Sequence, residues 1–383
     1  MCNTRFVICY RAALLFALLA SAPLLAEQYT ISTVAGDGIA ETVLNYPTAV
    51  AVDSSDNVYF GDWTGTIRKL WANGGTVTTV AGTGITGFIG DGGQGTTAML
   101  GKIGPMAFDA SGNLFVVDGE NNRIRRVDVL TGIITTVAGN GAKIDSGDGG
   151  QAVKAGVAQP TGITVDHEGN LYFSSSWSRV RKMTARTGVV ETVAGRFGTT
   201  FGGDNGPAID AFFWDPVPFA VSRAGDIYIA DYENSRIRMV TATTGIVTTI
   251  IGAGPCPAAP IFPNVLVCQG GFGGDGGPAK DATLNHAGAA AFDVEGNLYI
   301  SDTINHRIRR VDASTGIIYT IAGNGVSGFS GDGGPALAAE MTFPAGIAVD
   351  RAGRVYFADE SNHRIRVLTP VGPRPHRFRG EAR

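Results

Sequence analysis

The sequence predicts an all-β protein, a six-bladed β-propeller of four-stranded antiparallel blades, on three observations. Glycine supplies 55 of 383 residues, about double the usual share of roughly 7%, which indicates many tight turns. Three short phrases each recur six times: a Thr-Val-Ala-Gly type, an Ala-Val-Asp…Asn-Leu-Tyr type and an Ile/Val-Arg pair. Their order is constant along the chain, and a four-stranded unit repeated at about 45–70 residues is typical of propeller blades.

Each repeat is predicted to form four strands, A to D. Strand A is exemplified by "GIAVD" (346–350), strand B by "NLYISD" (297–302), strand C by "RIRRVD" (307–312) and strand D by "GIITTVAG" (132–139). Asp-Gly and Thr-Gly turns separate A from B and C from D, which is the chemistry of tight hairpins.

The order of the phrases also predicts how the ring closes. The first strand of type D, about Tyr29–Ala35, precedes any strand A, and the last blade ends at "RIRVLTP" without a strand D of its own. We therefore expect the N-terminal strand to complete the last blade, which removes a free sheet edge.

Three segments are predicted along the chain: a signal peptide at 1–26, the propeller at 27–370 and a basic disordered tail at 371–383. The apolar run "AALLFALLASAPLLA" starts just after Arg11 and is short for a membrane span. Cleavage near Ala26 is expected, with cleavage after Ala22 or an uncleaved anchor as alternatives. Export would make the protein secreted or periplasmic, without a membrane span after cleavage.

Export also affects how the cysteines and the charge are interpreted. Cys256 and Cys268 flank a proline-rich insert and are expected to form a disulfide, which would contribute about 3 kcal/mol. The formal net charge of −4 becomes −6 when Arg5 and Arg11 leave with the signal peptide. A negative chain disfavours nucleic acid, because binding to phosphates depends on Lys and Arg.

The strings "SDTINHRIRRVD" (301–312) and "ADESNHRIRVL" (358–368) resemble the NHL repeat, and the resemblance covers nearly all of the predicted mature chain. It implies a six-bladed propeller of the bacterial exported type. Blades 1 and 3 depart from the pattern with "DWTGTIRK" and "SSWSRVRK", which are one residue shorter, and blade 3 has Ser in place of Asp. Some propellers similar to this one are lyases or lactone hydrolases, and some NHL domains bind RNA, a use that export and negative charge disfavour here.

In the four strongest repeats, an aspartate precedes an arginine by five positions. We expect these residues to be architectural, with each Asp either paired with that Arg or capping N–H groups of the turn. The alternative is a ring of ligand-binding acids. The residues are Asp118 and Arg123, Asp231 and Arg236, Asp302 and Arg307, and Asp359 and Arg364.

Five phrases of the Gly-Asp-Gly-Gly type, one of which reads Gly-Asp-Asn-Gly at 203–206, lie in the connections from strand D to the next strand A. Each is followed by Ala and Leu at helical spacing, which predicts a glycine turn and a short capped helix that joins two blades. Calcium binding is the alternative, but each phrase offers a single carboxylate and calcium requires six to eight oxygens. The aspartates are Asp91, Asp148, Asp204, Asp275 and Asp332.

Aromatic residues mark one face of the predicted propeller, where the connections and the B–C loops both lie. Exposed there, they would suit stacking on a sugar ring or anchoring a protein; the alternative is that they cover the blade ends. Trp63 and Trp177 belong to the B–C loops of the two atypical blades, and Phe212, Phe213 and Trp214 precede blade 4.

The sequence favours a protein without catalytic residues, metal or cofactor: an exported scaffold that binds a protein or a cell-envelope glycan through this loop-rich face. The alternative is a lyase- or lactonase-like enzyme with a metal at the central channel. His286, just before strand A of blade 5, is the one histidine predicted near the channel mouth. A single histidine does not make a zinc site, so that alternative would need carboxylates from other A strands.

Overall fold

The computed structural model describes residues 28–38, 44–72, 74, 76–198, 200–256 and 268–372. The predicted signal peptide lies outside the described residues, and so does the predicted tail from residue 373 onward. Within the described residues the chain forms six antiparallel sheets of four strands each, arranged as propeller blades, which confirms the predicted fold class. No helix in this part of the chain has the length and apolarity needed to cross a bilayer.

The strands follow the chain from blade to blade. The N-terminal strand is β1 (Tyr29–Ala35). Blade 1 contains β2 (Ala49–Val52), β3 (Val58–Gly61), β4 (Ile67–Leu70) and β5 (Thr78–Ala81). Blade 2 contains β6 (Ile103–Phe108), β7 (Leu114–Asp118), β8 (Arg123–Val127) and β9 (Ile134–Ala138). Blade 3 contains β10 (Ile163–Val165), β11 (Leu171–Ser175), β12 (Arg179–Met183) and β13 (Val190–Ala194).

The second half repeats this order. Blade 4 contains β14 (Pro216–Val221), β15 (Ile227–Asp231), β16 (Arg236–Val240) and β17 (Val247–Ile251). Blade 5 contains β18 (Ala287–Phe292), β19 (Leu298–Asp302), β20 (Arg307–Val311) and β21 (Ile318–Ala322). Blade 6 contains β22 (Pro344–Val349), β23 (Val355–Asp359) and β24 (Arg364–Pro370), and its fourth strand is β1.

Closure of the ring follows the prediction. Strand β1 pairs with β24 from Tyr29 opposite Pro370 to Ala35 opposite Ile365. Tyr29 and Ile31 point into the core between blades 5 and 6, whereas Thr30 between them is exposed. The first and last strands of the propeller therefore stabilise one sheet, so the ring has no break between its ends.

The core lies between neighbouring blades. Strands of type B are buried on both faces, because each sheet is covered by a sheet on either side; all five residues of β7 and of β23 are buried. The type D strands lie at the rim, where burial alternates less strictly, as in β9 with its three half-buried central residues. The repeated Val, Ile, Leu and aromatic residues of strands B and C thus supply the contacts that join one blade to the next.

The five connections leading into blades 2–6 each contain one three-residue turn of 3-10 helix, such as Ala336–Ala338. A short helix therefore forms at the predicted place, but the predicted cap is wrong, because none of these turns has a side-chain cap. Pro335 lies at the N-cap position, and no side chain caps the turn. Ala339 at the other end is already extended and fully buried, because the chain turns inward there to reach the next strand A.

The Gly-Asp-Gly-Gly phrases cover the outer edges of the sheets. In blade 2, the N–H groups of Gly92 and Gly95 donate to the carbonyls of Ile134 and Gly132, and the Ile134 N–H donates to the carbonyl of Gly93. The matching segments of blades 3, 4, 5 and 6 pair in the same antiparallel way with their own type D strands. Each phrase therefore joins two blades and also satisfies backbone groups that a bare edge would leave unpaired.

A buried arginine fastens each phrase to its blade. In blade 2, Arg125 donates through Nη2 to Oδ1 of Asp91 over 2.7 Å and through Nη1 to Oδ2 of Asp118 over 3.2 Å. Asp91 also accepts the hydroxyl proton of Thr136 on β9. A β-bulge between Ile124 and Arg125 marks this position in the strand pair. The equivalent arginines are at most 1% exposed and each bonds to the aspartate of its phrase: Arg181, Arg238, Arg309 and Arg366.

The aspartate at the end of strand B was expected to pair with the arginine five positions later in the chain or to cap the turn. Its ionic partner is instead the arginine seven positions later, as in the pair of Asp118 with Arg125. Arg123 donates to the carbonyls of Asn121 and Asn140 and lies 3.6 Å from the ring centre of Phe88. Asp118 meanwhile caps backbone, accepting the N–H of Gly101 at 2.9 Å. Neither expected contact forms in this blade. No side chain caps the turn that follows Asp118, since the N–H that this carboxylate accepts belongs to the connection, and the Arg123 guanidinium reaches out to a carbonyl of the next connection instead of to Asp118.

Blade 3 replaces the motif aspartate by Ser175, and a carboxylate from elsewhere takes its place. Asp145, in the connection leading into this blade, accepts the hydroxyl proton of Ser175 and the N–H of Ala158. The second bond matches the one from Gly101 to Asp118 in blade 2. The Asp145 side chain is only 2% exposed. Blade 3 therefore also has a buried carboxylate at this point, but the carboxylate comes from the connection and not from the end of strand B.

Exchanging the two positions should test this relocation. Ser175→Asp alone would place two buried carboxylates in contact, and we expect the free energy of unfolding to fall by about 1–3 kcal/mol. Ser175→Asp with Asp145→Ala should recover most of that loss, because the new aspartate can then serve Ala158 and Arg181. Urea unfolding measures both variants; a double variant no more stable than the single one would contradict the interpretation.

Cys256 and Cys268 are joined by a disulfide in the connection between β17 and β18. Cys268 is buried, and the residues between the two cysteines, from 257 to 267, lie outside the described part of the chain. The bond therefore closes the base of the insert where it leaves the propeller.

Candidate ligand-binding face

One face of the propeller carries the D-to-A connections and the B–C loops. Strand A begins where strand B ends, as Ile103 opposite Asp118 shows. The loops that lead into the A strands therefore lie beside the loops that leave the B strands, as the sequence predicted. We call this surface the loop-rich face.

A cleft of about 660 Å³ opens on the loop-rich face between the entrances to blades 1, 2 and 3. Its floor is apolar, formed in part by Ile103, Pro105 and Val117. Polar and aromatic side chains line the remainder, and we call it the Trp63 cleft. These side chains are Trp63, Lys102, Glu120, Asn122, Lys143 and Gln159.

Trp63 is held in place by its neighbours. Its backbone N–H donates to the carbonyl of Asn45, and its ring stacks on Tyr46 with centroids 4.7 Å apart and planes at 28°. The ammonium of Lys102 lies 4.1 Å from the ring centre and 3.6 Å from Oε1 of Glu120. The indole is half-buried, so part of its surface remains available to a ligand in the cleft.

The other predicted aromatic residues do not join Trp63. Trp177 is 44% exposed at the tip of the blade 3 loop, with a φ of 55°, and does not line the cleft. Trp214 and Phe212 are half-buried. The backbone N–H of Trp214 donates to the carboxylate of Asp231, and the Arg196 guanidinium lies 4.0 Å from the ring centre of Phe212.

The prediction that Phe213 belongs to the ligand-binding face is wrong. This side chain is fully buried, and its ring centre lies 4.4 Å from the guanidinium of Arg238. It occupies the position that other connections give to the buried residues Leu100, Leu284 and Met341. Alignment of the connections with one another contained this signal, since each has an apolar residue at that point.

The central channel is the second concave site, with a volume of about 570 Å³. The A strands of all six blades line it, mostly with Ala, Val, Ile and Phe side chains. Asp215 and Tyr232 are the titratable residues among its lining. The Asp215 carboxylate accepts the Thr161 hydroxyl proton at 2.6 Å, and burial, with the nearby Glu233 charge, raises the pKa of Asp215.

His286 contacts the B–C loop of blade 4. Its Nε2 lies 3.2 Å from Oε2 of Glu233, its Nδ1 lies 2.9 Å from Oδ1 of Asn285, and its ring meets Tyr232 edge-on at 5.0 Å. Among the described residues, no group of three or more His, Cys, Asp or Glu side chains has the arrangement needed to hold a metal ion.

Acidic side chains gather around Tyr232 at the channel mouth. Burial raises the pKa of Tyr232 to about 12, and the charges of Glu233, Asp215 and Glu360 act in the same direction. Burial also raises the pKa of Glu360 to about 7. The folded protein therefore holds a proton on Glu360 at pH values where an unfolded chain would release it.

Glu360 should make the stability of the propeller fall as the pH rises. A carboxyl whose pKa is higher in the folded state favours folding below its unfolded value, near 4.5, and this contribution is lost as the pH passes about 7. Glu360→Gln should leave the melting temperature nearly unchanged at pH 4 and raise it at pH 8. Glu120→Gln, on the exposed B–C loop of blade 2, is the control, and an equal shift of the Glu360→Gln melting temperature at both pH values would contradict the expectation.

Comparison with known proteins agrees with this architecture. The NHL repeat model matches residues 213–238 and 341–368, which lie in blades 4 and 6. The Arabidopsis thaliana protein SUPPRESSOR OF QUENCHING 1, chloroplastic, is 27% identical over 69% of this chain and 24% of its own length. NHL repeat-containing protein 2 of Bos taurus is 27% identical over 67% of this chain and 37% of its own. The chain thus spans well under half of these relatives.

Solved structures share the fold at low identity. An auxiliary nutrient binding protein from Bacteroides thetaiotaomicron has a TM-score of 0.61 and 16% identity, covering 90% of this chain and 76% of its own. A streptogramin B lyase has a TM-score of 0.53 and 15% identity, covering 90% and 98%. A gluconolactonase from Xanthomonas campestris has a TM-score of 0.54 and 11% identity, covering 90% of both chains. Together with the repeated Asn-His-Arg-Ile-Arg phrases, the sequence matches identify this chain as a β-propeller that carries NHL repeats.

Proposed function

We propose that this protein is an exported, non-catalytic propeller that binds an anionic glycan of the cell envelope in the Trp63 cleft. The observation that carries the proposal is the composition of that cleft, in which an aromatic ring adjoins Lys102 and Lys143 in a cavity of about 660 Å³. Aromatic rings stack on the apolar faces of sugars, and lysines bind carboxylate groups.

The size of the cleft favours a small ligand segment. Pockets of about 300–1,000 Å³ suit small molecules, whereas a stable protein interface buries about 800 Å² on each partner. A few sugar units of an oligosaccharide fit a cleft of this kind, with the ring of Trp63 and the amide of Gln159 as contacts.

The local charge favours an anionic ligand. Lys143 is exposed and has no ion-pair partner among the residues that the structure describes, and Lys102 is opposed by Glu120 alone. The chain as a whole has a net charge of −4, so a cluster with two lysines and one glutamate is locally positive against an acidic background. Such a site attracts anions over the length at which salt screens charge, about 10 Å.

The channel residues support the choice of a binding protein over a channel enzyme. The streptogramin B lyase and the gluconolactonase share the fold, as does the auxiliary nutrient binding protein, so function has to be argued from side chains. A metal enzyme would need His286 and further ligands around one point, whereas His286 contacts Glu233 and Asn285. Export is supported by the apolar N-terminal run and by the disulfide.

Calorimetric titration of the protein lacking residues 1–26 tests the proposal, with uronic-acid oligosaccharides as the probe and neutral oligosaccharides of equal length as the comparison. Binding of the acidic series is expected, with a loss of at least about tenfold in Trp63→Ala and in Lys143→Ala. Trp177→Ala is the matched control, because this tryptophan is exposed on the same face but outside the cleft.

The proposal would be contradicted if neither the acidic nor the neutral oligosaccharides bound. It would also be contradicted if Trp177→Ala lowered the affinity as much as Trp63→Ala does. A pull-down from envelope extract with the same variants then shows whether a protein partner depends on Trp63. Metal analysis belongs to the same experiment: a bound metal that is lost on His286→Ala would favour the enzyme alternative.

A further inference from the structure

The outer edge of blade 1 differs from the edges of the other five blades. In blades 2–6, a Gly-Asp-Gly-Gly phrase of the chain itself covers strand D. No described residue pairs with the outer edge of β5. The reason is the length of the connection, since 13 positions separate Gly36 from Ala49, where 21 separate Gly82 from Ile103. Leu44, beside Gly36, is already buried, so the described part of this connection lies inside the rim.

Blade 1 nevertheless keeps the groups that bind the phrase elsewhere. Arg68 lies opposite Thr79 after a bulge, in the same register as Arg125 opposite Thr136. Arg68 donates to Oδ2 of Asp62 at 2.8 Å, as Arg125 does to Asp118. The second carboxylate, which Asp91 supplies to Arg125 and to Thr136, has no counterpart at Arg68 among the described residues.

The exposure of this region agrees with a missing partner. The Arg68 side chain is 21% exposed, whereas its five counterparts are at most 1% exposed. Val77, the counterpart of Ile134, and the threonines that follow it are exposed too. In blade 2, both the N–H and the carbonyl of Ile134 bond to the covering phrase. Its counterpart Val77, just before β5, makes no such bond to a described residue.

We propose that the edge of β5 binds an extended Gly-Asp-Gly-Gly segment of another polypeptide, added as an antiparallel fifth strand. Its aspartate would bond to Arg68 and Thr79, and its glycine backbone would bond to Val77. The five intramolecular copies supply the template for each of these bonds. Strand addition of this kind takes affinity from backbone hydrogen bonds and specificity from side chains.

The occupant is a partner chain with an unengaged phrase. Each of the five aspartates in this protein's own phrases is within 2.8 Å of its arginine, so a folded second copy has none to offer. The site is also separate from the Trp63 cleft, and its test is independent of the proposed glycan.

Fluorescence anisotropy with a labelled peptide tests the inference. The probe is GFSGDGGPAL, the sequence of residues 328–337, titrated with the protein lacking residues 1–26. We expect saturable binding, and about tenfold weaker binding for the peptide with Asn in place of Asp and for the Arg68→Ala protein. Val77→Pro should abolish binding because proline removes the backbone N–H, whereas Val77→Ala should retain it.

Loss of binding in Arg68→Ala could also result from misfolding. Val77→Pro keeps the ion pair of Arg68 with Asp62, and its urea midpoint shows whether the variant is folded. The inference is overturned if the peptide shows no saturable binding, or if binding persists in Val77→Pro. Equal binding of the Asp and Asn peptides also overturns it. A concentration-dependent dimer that Val77→Pro abolishes, without peptide binding, would assign the edge to a second copy instead.

Discussion

Arg125→Ala is expected to lower the free energy of unfolding by about 3–5 kcal/mol, the usual cost of leaving a buried charge without its partner. Arg125 is fully buried between Asp91 and Asp118, and the Asp118 side chain is fully buried as well. Removal of the guanidinium also releases the phrase that covers β9. Urea denaturation with a linear extrapolation gives the change directly.

Arg126→Ala is the matched control, one position along the same strand. Arg126 pairs with Asp128 over 2.9 Å at the surface, where both side chains are about one-third exposed, and such pairs contribute about 0–1 kcal/mol. Equal losses in the two variants would show that the buried arginines do not fasten the phrases. Faster proteolysis of the connection in Arg125→Ala is expected alongside the loss of stability.

Ile31→Ala should cost about 2–5 kcal/mol, the range for truncating a buried aliphatic side chain. Ile31 is 1% exposed in the core between blades 5 and 6, and it lies on the strand that closes the ring. The same residue exchanges two backbone hydrogen bonds with Gly333 and Gly334. We therefore expect thermal unfolding of this variant to expose the junction between blades 5 and 6 early.

Thr30→Ala supplies the control for closure, because Thr30 is exposed on the same strand and pairs with Thr369. We expect Thr30→Ala to change the free energy of unfolding by no more than about 0.5 kcal/mol. If hydrogen exchange of Ile31→Ala showed uniform weakening of all blades, the ring would open as one unit and not first at β1.

The covered and uncovered edges explain a feature of the repeats. Five connections carry a glycine-rich phrase because its backbone lies flat along a strand edge, and its aspartate neutralises an arginine that the blade buries. The connection leading into blade 1 lacks this phrase, and Arg68 of that blade is partly exposed. The phrase therefore joins two blades and also binds the outer edge of a sheet of the same chain.

Much of the fold was predictable because strand periodicity and turn chemistry are local. The repeated phrases predicted four strands in each blade, and their order predicted that β1 would pair with β24. The loop-rich face followed from strand direction alone. At the candidate site, Trp63 was predictable as a residue of that face, but Lys102, Glu120 and Lys143 were not, since they approach it from three other loops.

The sequence by itself determined the number of blades, their strand order and the strand that closes the ring, because neighbouring residues suffice to specify a strand or a turn. Only the tertiary structure decided which arginine pairs with Asp118, and that Asp145 serves in place of an aspartate at Ser175. Arg125 and Asp91 lie 34 positions apart. Contacts at that separation depend on how a connection crosses the rim and on the burial that follows, and no local pattern in the chain specifies either of these.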